Sequence, residues 1–250
     1  IPEYSRTAKG LPIVNLLTLQ KEESVTAMIR VPSFDEHAYF IFTTKTGVTK
    51  RTAVSNFANI RTNGLIAITL REEDELIAVR LTDGAKHIII GTHQGMLIRF
   101  EETDIRAMGR TAAGVRGIRL RDEDYVVGME IIEEDQDILV VSENGYGKRT
   151  KQSEYRLQSR GGVGIKTMQV TEKTGNVVAV KTVTGEEDVM LITVEGMLIR
   201  MDVDDISQIG RNTQGVRLIR LSDEEYVATV AKVKKDDDED EEIEEDEVEQ

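Results

Sequence analysis

Residues 158–164 read QSRGGVG, which places an arginine next to three glycines. A guanidinium group can bind phosphate oxygens in pairs, and glycine allows a backbone to approach such a group closely. These residue types therefore suit phosphate binding. Looser matches to this segment recur along the chain, so the elements that hold them must be considered next.

Four stretches of the chain share one pattern of glycine and arginine. Each opens on a turn glycine, and an arginine follows four residues later. The opening glycines are 48, 50 and 51 residues apart, and agreement at so many offsets identifies a repeat protein. In chain order, the shared positions are a first glycine (Gly47, Gly95, Gly145, Gly196), a first arginine (Arg51, Arg99, Arg149, Arg200), an apolar residue (Phe57, Ile105, Tyr155, Ile206), a second arginine (Arg61, Arg110, Arg160, Arg211) and a second glycine (Gly64, Gly114, Gly164, Gly215).

Each unit has the pattern of short β-strands. A β-branched run such as IIIGT precedes the first glycine and a second strand follows it, which is typical of a hairpin. The second glycine leads into alternating segments such as GVRGIRL, and a final apolar strand follows. We predict an all-β fold of about 50-residue, four-stranded blades arranged as a propeller, because radial repetition leaves few open sheet edges.

The repeat also sets the predicted boundaries. Arg6 and Gly10 match the pattern only in part, so the chain is expected to begin in the middle of a unit. We predict a trailing half-blade over 1–37, a blade over each of 38–87, 88–137, 138–188 and 189–235, and a disordered acidic tail over 236–250. These four blades are called the first to the fourth unit below.

Charge is distributed unevenly along the chain. The net charge is −14, but the 236–250 segment contains 12 of the 46 acidic residues and no base. The remainder therefore has 34 acids against 32 bases, a net charge of −2. A tail of this composition cannot bury enough apolar surface to fold. The sequence also contains no cysteine and no apolar run long enough to span a membrane, so we expect a soluble, cytoplasmic protein without disulfides, cysteine-based zinc sites or thiol catalysis.

Bases and acids occupy different connections within each unit. Acids gather in segments such as REEDE and RDEDY, and bases gather around the second arginine. Stacking the units around an axis would align these bases as a stripe along one rim, which suits a long polyanion. The first arginines could instead form ion pairs within their own units, for example Arg99 with Asp104 or Arg200 with Asp205. The candidate binding residues are Arg61, Arg106, Arg110, Arg116, Arg119, Arg156, Arg160, Lys166, Arg211, Arg217 and Arg220.

The repeat of glycines, arginines and short strands resembles the C-terminal DNA-wrapping domain found in the A subunit of DNA gyrase. The segments GYGKRT and GRNTQGVRLIRL resemble it most specifically, and residues 158–164 resemble the box motif of that family. Ser159 and Val163 replace two bases of the motif. We therefore interpret the segment as a degenerate internal copy and expect the principal box and the first blade to be absent. The matching residues are Gln158, Arg160, Gly161, Gly162 and Gly164.

The resemblance implies a β-pinwheel, in which strands are exchanged between blades. It implies binding of double-stranded DNA without sequence specificity, and wrapping of that DNA around a basic rim. The implied partners are the rest of the gyrase A subunit, together with the B subunit, in an A2B2 enzyme that introduces negative supercoils with ATP. On this interpretation the domain is not itself catalytic, holds no metal or cofactor, is monomeric when isolated, and lies in the cytoplasm with the nucleoid.

Two other functions remain open from the sequence. One is the DNA-bending C-terminal domain of topoisomerase IV, and the other is a propeller that binds proteins and uses its arginines only in ion pairs. The salt dependence of binding separates a protein-binding propeller from a DNA-binding one, because phosphate contacts weaken steeply as salt rises. The acidic tail is either a solvated extension or a mimic of DNA that competes for the basic rim.

Overall fold

A computed structural model describes residues 8–12, 15, 17, 19, 23–34, 37–60, 64–222 and 224–235. The described residues form fifteen β-strands and no α-helix, which confirms the all-β prediction. Arg61 and the acidic tail lie outside these residues. Listed from one edge to the other, the four sheets are β3 (Leu76–Thr82), β1 (Tyr39–Thr44), β2 (Val48–Ala53) and β6 (Val115–Arg116); β7 (Val126–Ile132), β4 (His87–Thr92), β5 (Met96–Glu101) and β10 (Ile165–Lys166); β11 (Val177–Val183), β8 (Asp137–Ser142), β9 (Tyr146–Lys151) and β14 (Val216–Arg217); and β15 (Val227–Lys234), β12 (Glu187–Thr193) and β13 (Leu198–Asp202).

Each sheet is built on a central antiparallel hairpin. Its two strands meet at the first glycine of the unit, which adopts a positive φ in all four units. A short 3₁₀ turn follows the second hairpin strand. The turns span Val54–Phe57, Glu102–Asp104, Gln152–Glu154 and Val203–Asp205. In the last three units the apolar residue that follows the turn is buried: Ile105, Tyr155 and Ile206.

The sheets meet along their inner strands. Strand β3 contacts β7, β7 contacts β11, and β11 contacts β15. Residues of these four strands line one central cavity of about 840 Å³. The strands at the opposite ends of the sheets, β6, β10, β14 and β13, therefore lie at the perimeter. This is the propeller-like ring predicted from the repeat.

The outermost strand of three sheets comes from the following unit. Strand β6 of the second unit pairs with β2, β10 of the third unit pairs with β5, and β14 of the fourth unit pairs with β9. The alternating segments thus form very short strands that join the neighbouring sheet. Such exchange defines the pinwheel variant of the propeller and ties successive units together.

The hydrophobic core lies between successive sheets. One cluster joins the first two units through residues such as Ile41 and Phe100. A second joins the next two through Leu97 and Tyr155, and a third packs Leu139 against Leu191. Aliphatic side chains dominate all three clusters, as expected for a chain with 4% aromatic residues.

The central cavity contains a buried ionic network. Glu130 is 6% exposed, accepts two hydrogen bonds of 2.7 Å from Arg80, and also pairs with Lys181 at 3.2 Å. Burial acts to raise the pKa of Glu130, but the Arg80 hydrogen bonds and the two positive charges outweigh it and lower that pKa. These residues come from the inner strands of three units, so the network links the units at the centre.

Candidate nucleic-acid interface

Three perimeter strands end in a basic residue at the same register position. Arg116 lies opposite Val48, Lys166 opposite Met96, and Arg217 opposite Tyr146. All three bases are exposed. We call strands β6, β10 and β14, together with the loops that precede them, the outer edge. The outer edge therefore presents one base on each of three sheets at a repeated position.

The second glycine of a unit allows its donated strand to reach the preceding sheet. Gly164 has a φ of +72°, and a Cβ atom there would lie 2.4 Å from the Leu97 carbonyl oxygen. Gly114 and Gly215 approach the carbonyl oxygens of Thr49 and Gly147 in the same way, with corresponding distances of 2.6 and 2.7 Å. These three glycines adopt a positive φ, and the close approach of two backbones also leaves no room for a Cβ atom at any of them.

The second arginine binds the main chain of the preceding unit. Arg160 donates from Nη1 to the Arg116 carbonyl oxygen at 3.0 Å and from Nε to the Asp104 carbonyl oxygen at 2.9 Å. Arg211 makes the equivalent contact with the Lys166 carbonyl oxygen at 3.0 Å. These contacts bring Arg160 beside Arg116 and Arg211 beside Lys166. Two of the predicted cations therefore lie together at each of these two boundaries.

The boundary between the first and second units is less basic. Arg110 donates to the Ile66 carbonyl oxygen at 3.4 Å, so its role matches that of Arg160. However, Ile66 stands where the next units have Arg116 and Lys166, and Thr69 stands where the second unit has Arg119. The basic outer edge is thus strongest from the second unit onward.

The box-like loop, residues 158–164, packs against the strand donated by the second unit. Gly161 donates its backbone N–H to the Gly117 carbonyl oxygen at 2.6 Å, and Arg119 donates its backbone N–H to the Gly162 carbonyl oxygen at 2.8 Å. Ser159 and Val163 are exposed. The loop therefore gathers Arg116, Arg119 and Arg160 into one small area of the outer edge.

Gln158 makes one of these loop contacts through its backbone. Its N–H donates to the Arg99 carbonyl oxygen at 2.9 Å. Its side-chain Nε2 is buried and has no hydrogen-bond partner among the described residues. The structure thus gives the backbone of Gln158 a role but leaves its amide unsatisfied.

The remaining predicted bases also lie at the surface. Arg106 and Arg156 follow the buried residues Ile105 and Tyr155 directly and are exposed. Arg220 is exposed and lines a surface cavity. They extend the basic surface beyond the donated strands.

Arg217 is held by an aromatic ring, and a base that the sequence analysis missed lies beside it. The Tyr146 hydroxyl accepts hydrogen bonds from Arg217 Nη2 at 2.9 Å and from Nε at 3.2 Å. The Lys173 ammonium lies 5.1 Å from the centre of the same ring. Lys173 sits in a turn without the glycine and arginine pattern, so the repeat contained no signal for it.

Two buried lysines were also missed. Lys50 and Lys148 are both 0% exposed and donate to carbonyl oxygens of the loop that contains the second arginine of the following unit. Burial lowers the pKa of each lysine to about 8. Arg110 adds to this effect at Lys50, whereas at Lys148 the charge of Glu154 acts to raise the pKa and that of Arg211 acts to lower it. The signal in the sequence was a lysine immediately before the first arginine in the segments GVTKRT and GYGKRT.

The first arginines contact both the following unit and their own sheet. Arg99 donates to the Gln152 carbonyl oxygen at 3.0 Å and contacts His87 Nδ1 at 2.9 Å. The predicted pairing of Arg99 with Asp104 is wrong, because Asp104 is bound by Arg160 of the next unit. Arg149 similarly donates to Asp204 of the next unit at 3.1 Å. Strand exchange places the following unit beside Arg99 and Arg149. Ion pairs within one sheet occur as well, because Arg149 lies 3.6 Å from Asp137 and Arg200 donates to Asp188 at 2.6 Å.

The acidic segments stabilise hairpin turns. Asp74 accepts hydrogen bonds from the backbone and hydroxyl of Thr46 at 3.0 and 2.6 Å, and Asp124 accepts one from the Gln94 backbone at 2.9 Å. Although burial acts to raise the pKa of Asp74, these hydrogen bonds lower it. Within the described residues, no group of three or more histidine, acidic or cysteine side chains is placed to hold a metal ion. Nor does that part of the chain contain a helix long and apolar enough to cross a membrane.

Fold and surface together define a class of protein: a strand-exchanged β-propeller whose outer edge is lined with bases. The model of the DNA gyrase C-terminal domain, β-propeller family matches residues 1–32, 38–83, 86–133, 136–184 and 187–234. The chain therefore belongs to this family.

The sequences of known relatives agree with the family match. The DNA gyrase A subunit of Halalkalibacterium halodurans is 64% identical over 233 residues, which are 93% of this chain. The DNA gyrase A subunit of Staphylococcus aureus strain MRSA252 is 54% identical over 239 residues, or 94% of this chain. The chain spans only 28% and 27% of the length of these two relatives.

Two solved structures share the fold. The C-terminal domain of DNA topoisomerase IV matches with a TM-score of 0.85 and 26% identity, covering 90% of this chain and 71% of that one. The DNA gyrase A C-terminal domain matches with a TM-score of 0.80 and 25% identity, covering 90% of this chain and 75% of that one. The similar scores show that the backbone alone does not separate the two kinds of domain.

Proposed function

We propose that this domain binds double-stranded DNA along its outer edge without reading sequence, and that it wraps the DNA around the ring. The observation that supports this most directly is the repeated placement of a base on β6, β10 and β14, with a second arginine beside two of them. Bases at regular intervals on a rigid edge suit the regular phosphates of a duplex. The contacts must also offset the cost of bending DNA, about 1–6 kcal/mol for a site of 20–30 base pairs bent by 40–90°.

In the larger protein, this wrapping would present a DNA segment for strand passage. We propose that the partners are the remainder of the gyrase A subunit and the separate B subunit, and that the assembled A2B2 enzyme uses ATP to introduce negative supercoils. The support is the identity of 64% and 54% to the A subunits of two gyrases. On this proposal the domain contributes binding and geometry, and the chemistry belongs to other parts of the enzyme.

Topoisomerase IV offers a second candidate function, DNA bending without a defined wrap. It is favoured by the TM-score of 0.85 and by the two bases that the box-like loop lacks, at Ser159 and Val163. A topology assay separates the two functions. Nicked circular DNA is incubated with the protein, sealed, stripped of protein and analysed for linking number.

A positive linking-number shift that grows with protein and fades with salt would support chiral wrapping. Salt-sensitive binding without a shift would favour bending. Binding that does not respond to salt would contradict phosphate contacts altogether, because release of counterions makes phosphate binding steeply salt-dependent.

Neutralising the outer edge tests the location of the contacts. Arg116→Ala combined with Arg119→Ala should lower the slope of log affinity against log salt by about 2, since each lost phosphate contact removes about 0.9. Lys86→Ala with Lys232→Ala is the charge-matched control, because both lysines line the central cavity and pair with Glu133 and Glu187 rather than with the buried Glu130. An equal loss of slope in the control would place the DNA elsewhere.

A further inference from the structure

Lys50 and Lys148 occupy positions from which they cannot contact DNA themselves. Both side chains are 0% exposed, and both lie on the second hairpin strand one residue before the first arginine. Each ammonium donates to the carbonyl oxygen of the second arginine of the following unit, in the loop that leads to the strand donated by that unit, and Lys50 also donates to Ala67 of its own unit. A cation with no exposed surface cannot bind a phosphate, so its effect on DNA must be indirect.

The ammonium group of Lys148 donates three hydrogen bonds. Its Nζ donates to the Gly210 carbonyl oxygen at 2.7 Å, the Arg211 carbonyl oxygen at 2.5 Å and Thr213 Oγ1 at 2.9 Å. Three acceptors thus match the three N–H donors of an ammonium group. Two of them flank or belong to the second arginine of the fourth unit, so the lysine holds the backbone from which the Arg211 side chain extends.

Lys50 shares the contact with the second arginine at the boundary between the first and second units. Its Nζ donates to the Ala67 carbonyl oxygen at 2.6 Å and to the Arg110 carbonyl oxygen. Arg110 is the second arginine of the second unit, as Arg211 is of the fourth. The same residue type therefore anchors the same point of the loop in two independent places.

The blade fold itself does not require a lysine at this position. The equivalent residues of the second and fourth units are Ile98 and Ile199, and Ile98 is fully buried. Burying an ammonium group costs much more than burying an isoleucine, and an isoleucine fills the equivalent buried position of the second unit. The lowered pKa of Lys148, about 8, is consistent with that cost. Stability of the blade therefore does not explain these lysines.

We propose that Lys50 and Lys148 are positioning residues that fix the loops bearing Arg110 and Arg211, so that these arginines are held ready for phosphate at the outer edge. This inference rests on the proposed DNA binding and adds to it. It assigns a role in DNA affinity to two residues that never touch DNA. Holding a side chain in its bound position reduces the ordering cost of binding.

A double-mutant cycle tests the proposal. Lys148→Ile, which installs the residue found in two other units, should weaken DNA binding about 3- to 10-fold at moderate salt and lower the salt slope by about 0.9, the value of one phosphate contact. Arg211→Ala should do the same. The double variant should bind no more weakly than Arg211→Ala alone, because the lysine acts through that arginine.

Other outcomes would overturn the proposal. A normal salt slope for a folded Lys148→Ile variant would show that the loop needs no anchor. Additive losses in the double variant would show that the lysine acts other than through Arg211. Lys50→Ile with Arg110→Ala provides an independent second cycle if the first variant does not fold. Thermal melting and circular dichroism establish folding in each case.

The cycle also separates this inference from the proposed function. If the unmodified domain shows no salt-dependent DNA binding, the proposed function fails first. If the unmodified domain binds DNA and both lysine variants match it in affinity and slope, only the positioning role fails.

Discussion

Two loops at the outer edge have the same frame but different supports. The box-like loop, residues 158–164, and its counterpart in the fourth unit, residues 209–215, each begin with a backbone N–H bonded to the first arginine of the preceding unit, at 2.9 Å in both cases. In each loop the backbone N–H of the second arginine donates to a carboxylate, Asp104 at 3.3 Å and Glu154 at 3.0 Å. The course of the loop is thus fixed by main-chain contacts that are independent of most side chains.

The support beneath the two loops is where they differ. Under the fourth-unit loop, Lys148 binds two carbonyl oxygens and the Thr213 hydroxyl. Under the box-like loop lies Ile98, whose Cδ1 would be 3.7 Å from a Cβ added at Gly162. Hydrogen bonds from Lys148 hold the fourth-unit loop. The box-like loop instead has the apolar side chain of Ile98 beneath it, and it contains the adjacent glycines Gly161 and Gly162. Glycine retains more conformational freedom, so we expect the box-like loop to adapt more readily to a bound partner.

The largest change in stability is expected at the glycine that ends each loop, which is Gly164 in the box-like loop. Gly164→Val should destabilise the fold by about 3 kcal/mol, because a β-branched residue is strained at φ +72° and its Cβ would overlap the Leu97 carbonyl. Gly162→Ala is the matched control within the same loop and should change stability by less than about 0.5 kcal/mol. Chemical denaturation measures both. Equal losses in the two variants would show that the glycines share one role.

Because Lys148 is buried, the free energy of unfolding of the domain relative to a Lys148→Ile variant should depend on pH. The folded-state pKa of Lys148, about 8, lies below the ordinary value of 10.5. Between these pH values the unfolded chain binds a proton that the folded chain does not, so raising the pH favours folding. The stability of the unmodified domain relative to Lys148→Ile should therefore increase by about 1–3 kcal/mol from pH 7.5 to pH 10.

Urea denaturation of both proteins across this pH range measures that difference. Titration of Lys50 and of the remaining side chains is common to both proteins and cancels. A difference that stays constant with pH would mean that the Lys148 ammonium is solvated equally well in the folded and unfolded states.

The sequence predicted the repeat, the all-β fold and the turn glycines because each depends on local patterns. Period-2 alternation and glycine at fixed offsets are visible without knowledge of the neighbouring unit. The partners of Arg99 could not be predicted in this way. They are set by strand exchange, which places the main chain of Gln152 beside a strand more than 50 residues earlier.

The same limit applies to the candidate interface. The sequence showed the excess of bases near each second arginine. The structure places Arg160 against Arg116 and Arg211 against Lys166. Lys148 was overlooked because a lysine in a strand is usually expected to face solvent. Its burial follows from a loop that begins about 60 residues later, so no local pattern could reveal it.

The smallest effect is expected at Gln158, where the box-like loop departs from its counterparts in another way. Ile209 and Met108 occupy the equivalent positions and make the same backbone hydrogen bond, at 2.9 and 2.8 Å. The buried Nε2 of Gln158 has no hydrogen-bond partner among the described residues to replace the water it loses on folding.

Gln158→Met should therefore raise the free energy of unfolding by about 1 kcal/mol, because it removes an unsatisfied polar group and keeps the backbone contact. Gln169→Met is the control expected to lose stability, since its Nε2 donates to the Asn212 carbonyl oxygen at 3.0 Å. A loss at Gln158 as large as that at Gln169 would mean that the Gln158 amide is satisfied after all, and that the two loops differ less than their contacts indicate.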